Sequence, residues 1–262
     1  RHAAVASGAV GAHRGRGNEK HVTPRVASRT ASMLPTPDIA HVRRTYGDAV
    51  YDPAEDTFAL MDALEQDAQA LQHTTLCVEI GSGSGCVSTF AAQLVGPHAA
   101  YVCTDINAAA TLCTRETAER NHVVLDVMRA STLDGLRLTG LVDLLLFNPP
   151  YVVTSDEEEA AAQAHAALAG AWAGGTYGTA LLQRMIDDGV FEVRRPRSHQ
   201  RTLRRGGRLY VVTIKQNDPE GLVRQLAAHG FEADVRTLPL TQIVLRRRAN
   251  REWLHILRAV KP

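Results

Sequence analysis

Residues 76–85 read Leu-Cys-Val-Glu-Ile-Gly-Ser-Gly-Ser-Gly, an apolar run that leads into three alternating glycines. The apolar run predicts a short buried strand, and the residues from 86 to about 94 predict a helix directly after the loop. Glycine allows a tight turn and close approach of a ligand, and the helix N-terminus behind it favours an anionic group. The G-x-G-x-G spacing differs from the G-x-G-x-x-G of dinucleotide-binding folds. The stretch therefore predicts a strand–loop–helix unit with a ligand-binding loop.

Apolar strands alternate with helical segments along most of the remaining chain. Further strands are expected at 100–104, 123–128, 141–147, 208–214 and 253–260, with one or two more between 231 and 252. Helices are expected to open at Asp52-Pro53 and to cover 108–121, 179–190 and 219–229. This alternation is typical of a parallel sheet covered by helices on both faces, so the predicted fold class is α/β.

The net charge of +1 is the sum of two regions of opposite sign. Residues 1–44 contain eight Lys or Arg and two acidic residues, whereas residues 45–262 contain 21 basic and 26 acidic ones. The first region lacks a sustained apolar period, which is typical of disorder, and its Arg-rich composition also resembles a mitochondrial transit peptide. We favour a non-native or untranslated extension, with Met33 as a start, because the Arg bias runs through the whole chain. The expected domains are therefore 1–44, an extension, and 45–262.

Composition excludes several classes of protein. No apolar run reaches the ~18 residues that a membrane-spanning helix requires, so no membrane association is expected. The four cysteines form no C-x-x-C pair, which argues against a disulfide scaffold or a zinc ribbon and for a reducing compartment. We expect a cytoplasmic protein, with a nuclear fraction left open and mitochondrial targeting less favoured. Two stretches, 155–170 and the arginine-rich 194–208, are expected to be solvated loops.

The second predicted strand ends in a carboxylate. Cys103-Thr104-Asp105-Ile106-Asn107 places Asp105 20 residues after Gly85. A carboxylate at this edge of the sheet can accept hydrogen bonds from both hydroxyls of a ribose. Asp105 and Asn107 also precede a helix, where either can act as the N-cap. We favour the ribose role for Asp105 and leave the capping role open.

Residues 144–151, Leu-Leu-Leu-Phe-Asn-Pro-Pro-Tyr, are the most informative segment. A buried strand runs directly into a rigid turn, whose two prolines fix φ and cannot donate hydrogen bonds. The carbonyls around Pro149 and the side-chain oxygen of Asn148 can therefore hold both hydrogens of a planar –NH2 group, on which Tyr151 can stack. Such positioning is a catalytic mechanism in its own right.

These segments together resemble the amino-methyltransferases that carry an (Asn/Asp)-Pro-Pro-(Tyr/Phe) motif. This group includes DNA adenine N6-methyltransferases and the HemK/PrmC-type glutamine N5-methyltransferases of release factors. Glu79, two residues before the first glycine, matches the loop of class I S-adenosylmethionine methyltransferases. The eukaryotic and archaeal HemK-like branch is indicated by further stretches at 51–58, 104–107, 171–175 and 212–215. The resemblance covers roughly residues 45–260.

The resemblance implies a class I, Rossmann-like methyltransferase with a seven-stranded, mostly parallel sheet and an antiparallel last strand. It implies methyl transfer from S-adenosylmethionine to the glutamine amide of a Gly-Gly-Gln motif in a class 1 translation release factor, leaving S-adenosylhomocysteine. The implied acceptor-site residues are Asp56, Asn148, Pro149, Pro150 and Tyr151, of which Asn148, Pro149 and Tyr151 are the implied catalytic ones. The implied cofactor-site residues are Thr57, Glu79, Gly81, Gly83, Gly85, Asp105, Ile106, Ser131 and Asn148. Ser131 departs from the family, which usually has Asp there, so the contact with adenine stays open.

Three alternative functions remain. DNA adenine methylation shares the turn motif, but a nucleic-acid enzyme should present a basic surface, and residues 45–262 carry more acidic than basic residues. The arginines of 194–208 are the one counter-argument, and we do not expect direct nucleic-acid binding. Methylation of a histone lysine also stays open. A cofactor-binding subunit without catalysis is disfavoured by the intact Asn-Pro-Pro-Tyr motif.

The resemblance also implies a small zinc-binding activator subunit that pairs along an edge strand. Residues 123–128, Val-Val-Leu-Asp-Val-Met, are nearly all apolar. At a sheet edge such a strand needs cover to prevent aggregation, whereas an interior position would make it an ordinary buried strand. This chain has no cluster of metal ligands, so the zinc would belong to the partner. We therefore expect a heterodimer.

Overall fold

The computed structural model describes residues 34–150, 179–187, 202–237 and 253–262. The strands in these ranges are β1 (Leu76–Ile80), β2 (Ala100–Asp105), β3 (Asp126–Arg129), β4 (Val142–Phe147), β5 (Leu203–Ile214), β6 (Glu232–Thr237) and β7 (Leu254–Val260). The helices are α1 (Glu55–Gln66), α2 (Ala68–Leu71), α3 (Cys86–Val95), α4 (Ala108–Arg120), α5 (Ala180–Asp187) and α6 (Pro219–Ala228). Short turns of other helical types cover Val42–Tyr46, Gly47–Ala49 and Lys215–Asn217.

The strands form one seven-stranded sheet in the order β3-β2-β1-β4-β5-β7-β6. The first five in chain order pair in parallel, and β7 is antiparallel to both β5 and β6. The predicted α/β class, the seven strands and the antiparallel last strand are therefore confirmed. Because parallel strands point the same way, the loops that follow β1, β2 and β4 meet at one edge of the sheet.

The sheet is covered on both faces, as its sequence pattern predicted. Every residue of β4 is buried, and alternate side chains enter opposite cores. Leu144 and Leu146 pack with α1 and α3, whereas Leu145 and Phe147 pack with α5 and α6. Each fully buried side chain of this size contributes about 1.5–3 kcal/mol. The two cores hold the central strands in place, and the strands in turn hold the loops that follow them.

Several element boundaries differ from the predictions. Helix α1 begins at Glu55, not at Asp52, because Ala54 is extended and donates its N–H to the Thr57 hydroxyl at 3.4 Å. Strand β3 begins at Asp126, three residues later than expected, since Val123 donates its backbone N–H to Ala118 at the end of α4 (3.0 Å). Hydrogen bonds to residues three and five positions away therefore decide both ends.

The arginine-rich stretch 194–208 was predicted to be a solvated loop, and this is wrong for its last six residues. Residues 203–208 form the beginning of β5, which pairs with β4 through a register shift. The buried carboxylate of Asp143 forms an ion pair with Arg204, and Gly206 adopts φ +76°. Residues 194–201 lie outside the described part of the chain.

The folded domain begins earlier than the predicted boundary at residue 44. Val42 is fully buried, and His41 lies 3.1 Å from the Thr117 hydroxyl of α4. Asp38 forms a 2.8 Å ion pair with Arg120. Residues 34–44 thus pack on the domain. Residues 1–33, which were expected to be an extension, lie outside the described residues. None of the described helices is long and apolar enough to cross a bilayer.

Candidate active site

Three loops carry the predicted site residues to one edge of the sheet. Ile80, the last residue of β1, is in register with Thr104 of β2 and with Phe147 of β4. The glycine loop, Asp105 and Asn148 follow these positions directly, so residues up to 67 positions apart in sequence, Gly81 and Asn148, become neighbours. The parallel sheet therefore assembles the site that the separate motifs predicted.

The glycine loop is held by β2 and leaves open space above it. The backbone N–H groups of Gly81 and Ser82 donate to the carbonyl of Thr104 at 2.8 and 3.1 Å. Gly81 and Gly83 have φ of +70° and +53°, and a Cβ at either position would meet nothing within 4 Å. These two glycines thus border an open volume into which a ligand can descend.

The third glycine serves packing. Gly85 has φ +76°, and a Cβ there would lie 2.8 Å from the Cα of Thr114 in α4. The Thr114 hydroxyl is 2.9 Å from that of Ser82 and donates to the carbonyl of Gly83 at 3.2 Å. Only glycine lets the loop lie this close to α4. Thr114 was not among the predicted site residues, and its position in the middle of a helix carries no sequence signal for this contact.

Asp105 clamps the glycine loop from the end of β2. Its Oδ2 accepts the N–H of Gly83 and its Oδ1 accepts the N–H of Asn107, both at 2.8 Å. Burial raises the pKa of Asp105, and the backbone N–H groups of Asn107 and Gly83 oppose that rise. The N-cap of α4 is Asn107, whose Oδ1 accepts from Ala109 at 2.9 Å. Each carboxylate oxygen keeps a second lone pair, so ribose binding stays a prediction for Asp105.

Glu79 is buried beneath the loop. Its Oε2 accepts hydrogen bonds from the backbone N–H of Ser88 in α3, at 3.0 Å, and from the Ser88 hydroxyl. Burial raises the pKa of Glu79 to about 8, against the hydrogen bonds from Ser88 and with a smaller contribution from the charge of Asp105. Glu79 therefore ties β1 to α3. The sequence analysis missed Ser88. The role implied for Glu79, to position the methionine part of the cofactor, stays a prediction.

Asn148 faces α1 across the edge of the sheet. Its Nδ2 donates to Oδ2 of Asp56 at 3.0 Å. Its Oδ1 is buried and has no hydrogen-bond partner among the described residues. A buried acceptor left without a donor costs about 1–3 kcal/mol, so a donor from outside the chain suits this position. Pro149 is buried and Pro150 is half-buried, whereas Tyr151 lies outside the described residues.

Asp56 and Thr57 reach the site from the first turn of α1. Asp56 is 3% exposed. Its Oδ1 accepts the Thr57 N–H at 2.8 Å and the Tyr51 hydroxyl at 3.2 Å. Tyr51 lies in the motif quoted above but was not predicted as a site residue, because the fold alone decides where its hydroxyl lies.

Ile106 and Ser131 lie at the outer side of the site. Ile106 directly follows Asp105, and its side chain is 47% exposed. Its carbonyl accepts a hydrogen bond from Nε of Arg129 at 3.0 Å, which fixes the backbone there. Ser131 is exposed, and its carbonyl accepts the N–H of Asp134 at 3.0 Å. The apolar surface beside a carboxylate suits a flat heterocycle joined to a sugar.

Comparisons with known proteins bear on the whole chain. Residues 46–172 match the methyltransferase small domain family. Methyltransferase HEMK2 of Mus musculus is 41% identical over 233 residues, which cover 88% of this chain and 99% of the mouse protein. The eRF1 methyltransferase catalytic subunit mtq2 of Schizosaccharomyces pombe is 36% identical, over 86% of this chain and 95% of that protein. The solved Mtq2–Trm112 complex of E. cuniculi has the same fold, with a TM-score of 0.55, 24% identity and coverage of 82% of this chain and 99% of that one.

The residues of the site fit S-adenosylmethionine, the methyl donor of such enzymes. A Cβ at Gly81 or Gly83 would meet nothing within 4 Å, which leaves space over the loop for part of the cofactor. Asp105 offers lone pairs for a ribose, and Ile106 offers an apolar surface for a base. The chain is an enzyme of the HEMK2/Mtq2 family of class I methyltransferases, and S-adenosylmethionine is its methyl donor.

Proposed function

We propose that this enzyme methylates the side-chain amide nitrogen of the glutamine in the Gly-Gly-Gln motif of a class 1 translation release factor. The observation that carries the proposal is the buried Oδ1 of Asn148, an acceptor without a donor among the described residues at the end of β4. A planar –NH2 group supplies the missing donor. The names of relatives support the acceptor class: one is an eRF1 methyltransferase catalytic subunit, and an archaeal one, 27% identical over 190 residues, is a putative protein N5-glutamine methyltransferase.

The chemical task is to make a poor nucleophile react. The lone pair of an amide nitrogen is delocalised into the carbonyl. Asn148 Oδ1 and the Pro149 carbonyl accept the two N–H groups, which increases electron density on the nitrogen and aims it along one line. When bound, S-adenosylmethionine supplies a methyl group activated by a positive sulfonium. The new N–C bond forms as the S–C bond breaks, and the electron pair of the S–C bond stays on sulfur. The nitrogen releases one proton to solvent.

The remaining predicted residues take roles around this centre. Tyr151 packs on the flat acceptor amide, and Pro150 keeps the turn rigid. Asp105 holds the ribose, and Ile106 contacts the adenine, with Ser131 beside it. The cofactor's amino-acid portion lies over the glycine loop, near Glu79 and Thr57. These assignments are supported by the open volume at Gly81 and Gly83 and by the polar atoms of Asp105 at its border.

A transfer assay with labelled S-adenosylmethionine tests the acceptor. It compares a class 1 release factor, a histone octamer and duplex DNA as substrates, each with and without the activator subunit, and maps the modified residue by mass spectrometry. We expect label on the release factor, confined to the Gly-Gly-Gln glutamine and lost when that glutamine is replaced by glutamate. Label on a histone lysine or on adenine would overturn the proposal. A lysine acceptor would also show a rate that rises with pH, because the amine must first lose its proton.

We also propose that a small zinc-binding activator subunit pairs with β3. This strand lies at the end of the sheet order, so one side of it has no neighbouring strand among the described residues. Val124, just before β3, is 83% exposed, and Leu112 on the covering helix α4 is 56% exposed. Unpaired backbone groups beside apolar side chains are typical of a strand that another chain completes. The related Mtq2 is found in complex with Trm112, which supports such a partner.

The zinc of this proposal belongs to the partner. Among residues 34–150, 179–187, 202–237 and 253–262, no three His, Cys, Asp or Glu side chains are grouped as metal ligands. The four cysteines are free and buried. Zinc sites in proteins need three or four such ligands.

A further inference from the structure

We infer that Asp56 is a positioning residue that decides which end of the Asn148 amide faces the acceptor, and that Tyr51 holds Asp56 in place for this task. The resemblance described above implied that Asp56 faces the substrate. In the structure its side chain is 3% exposed, and both oxygens accept hydrogen bonds from this chain. The inference rests on the proposed function in one respect, since it takes the acceptor to be a donor of N–H groups.

A side-chain amide is nearly symmetric in shape. The oxygen and the –NH2 of asparagine have almost the same size, so a half-turn about the last side-chain bond exchanges them at little steric cost. Only one orientation of Asn148 is useful here. With Oδ1 toward the acceptor, Asn148 accepts a hydrogen bond from its N–H group. The flipped amide would place its own –NH2 against that N–H group, and no hydrogen bond could form. Something must therefore select the orientation.

Asp56 makes that selection because an ionised carboxylate only accepts hydrogen bonds. Its Oδ2 lies 3.0 Å from Nδ2 of Asn148. In the flipped orientation an amide oxygen would face the carboxylate oxygen at this distance, and both would repel. The –NH2 end is thus held toward Asp56, and Oδ1 is directed to the position that has no donor among the described residues.

Asp56 is itself prevented from turning. Its Oδ1 accepts the backbone N–H of Thr57 at 2.8 Å and the hydroxyl of Tyr51 at 3.2 Å. The first bond comes from the first turn of α1, and the second comes from the segment before it. Rotation of the carboxylate would break both. Hydrogen bonds therefore link Tyr51, Asp56 and Asn148 in a fixed relay. The relay ends at Oδ1 of Asn148, the acceptor that has no donor among the described residues.

A pair of reciprocal substitutions tests the inference. In Asp56→Asn the Thr57 N–H still faces the side-chain oxygen, so the –NH2 of the new amide faces Asn148 and favours its flipped orientation; kcat should fall about 10- to 100-fold while the KM for S-adenosylmethionine changes less than about twofold. Asn148→Asp places two carboxylates next to each other and should lower kcat at least as much. Combining the two restores a donor facing a carboxylate, with a carboxylate oxygen toward the acceptor. The combined variant should recover at least about tenfold over either single one.

Tyr51→Phe tests the relay itself. Loss of one donor to Asp56 should lower kcat several-fold, about 3- to 10-fold, again without a matching change in the KM for S-adenosylmethionine. Tyr46→Phe is the matched control, because its hydroxyl donates to Glu116 at 3.1 Å on the outer side of α4. That variant should keep wild-type kcat. Thermal unfolding of every variant, in complex with the activator where this is needed for solubility, checks that each one folds.

The orientation also has a readout that needs no turnover. In 15N-labelled protein, the side-chain NH2 signals of Asn148 should show one environment in the wild type and a clearly different one in Asp56→Asn, where the amide no longer donates to a carboxylate. Wild-type kcat in Asp56→Asn, a combined variant no better than the worse single one, or one unchanged amide environment would overturn the inference. Failure of the wild type to methylate release factor, with one amide environment retained and changed by Asp56→Asn, would overturn the proposed function alone.

Discussion

Tyr210, a buried residue of β5, donates a 2.5 Å hydrogen bond to the carboxylate of Asp67, the residue that ends α1. Asp67 also accepts hydrogen bonds from Arg236 of β6 at 3.0 Å and from Arg258 of β7 at 3.3 Å. One carboxylate thus joins α1 to three strands. The other end of α1 carries Asp56, so this cluster fixes the helix that supports the acceptor side of the site.

Asp67→Asn should destabilise the fold by about 1–3 kcal/mol at neutral pH, because Arg236 and Arg258 lose one of their two carboxylate partners and keep only Asp234. Burial pushes the pKa of Asp67 up, but Tyr210, Arg236 and Arg258 outweigh it and lower the pKa. A lowered pKa means stability that is present above the unfolded value and is lost as pH falls through the folded one. The difference between the variant and the wild type, measured by urea unfolding, should therefore shrink below about pH 4. Asp38→Asn, at an exposed ion pair, is the control and should have a much smaller effect.

Glu79 should make the stability of the cofactor-free protein fall with rising pH. Burial raises its pKa to about 8 in the folded state, above the usual 4.5. The folded protein therefore holds a proton that the unfolded chain loses, and the resulting stability is complete below the unfolded pKa and lost as pH rises through about 8. Each pKa unit corresponds to roughly 1.4 kcal/mol. Glu79→Gln should equal the wild type near pH 4 and exceed it by a few kcal/mol at pH 9.

Thermal or urea unfolding of the two proteins across this range measures the difference. The glutamine oxygen can still accept from Ser88, so the comparison isolates the charge. Parallel curves for the two proteins from pH 4 to 9 would contradict the prediction.

Two glycines of the loop should respond differently to alanine. Gly85→Ala brings a Cβ to 2.8 Å from the backbone of Thr114 at φ +76°, and we expect a loss of about 2–4 kcal/mol in stability. Gly81→Ala meets only the strain of φ +70°, about 1–2 kcal/mol, because nothing lies within 4 Å. Its methyl group enters the open volume instead and should weaken binding of S-adenosylmethionine more than Gly85→Ala does.

Urea unfolding gives the first comparison, and calorimetric titration with the cofactor gives the second. If Gly81→Ala were the more destabilised variant but bound the cofactor normally, the open volume would not be the cofactor site.

Asn148→Ala should lower kcat for methyl transfer by at least about 100-fold, the usual effect of removing one placed hydrogen-bonding group from a transition state. Binding of S-adenosylmethionine should fall less, because most of its predicted contacts are elsewhere. Single-turnover kinetics with saturating cofactor separates the two effects. Asn121→Ala, at the end of α4, is a matched control whose side chain contacts Asp38 and Thr117 away from the site. Near-normal turnover of Asn148→Ala would refute its catalytic role.

Val124→Glu should weaken the complex with the activator without unfolding this chain. The side chain is 83% exposed, so a charge costs little in the free protein but at least about tenfold in affinity at an apolar interface. Leu141→Glu is the control, because Leu141 is also exposed but precedes β4, a central strand that β2 and β1 separate from β3. Titration of the activator against each variant gives the dissociation constants. Equal values for Val124→Glu and the wild type would exclude β3 as the interface.

Local patterns were sufficient for the elements and for their layering. Largely apolar runs such as Val142–Phe147 predict buried strands, since only a sheet covered on both faces hides every side chain. The predictions were wrong at positions where a contact with a distant residue sets the local structure. Residues 203–208 look like a charged loop, yet Asp143 and strand pairing draw them into β5.

The sequence by itself determined the class of fold and the positions of the glycine loop and of the Asn-Pro-Pro turn, because glycine, proline and strand periodicity act over a few residues. Tertiary structure alone decided how these parts act on one another. Asp56 reaches Asn148 across 92 positions, and Asp67 reaches Tyr210 across 143. Such contacts depend on the order of strands and on the angle of α1, and no pattern in the neighbouring residues encodes them. The direction in which the Asn148 amide faces is therefore a property of the folded chain.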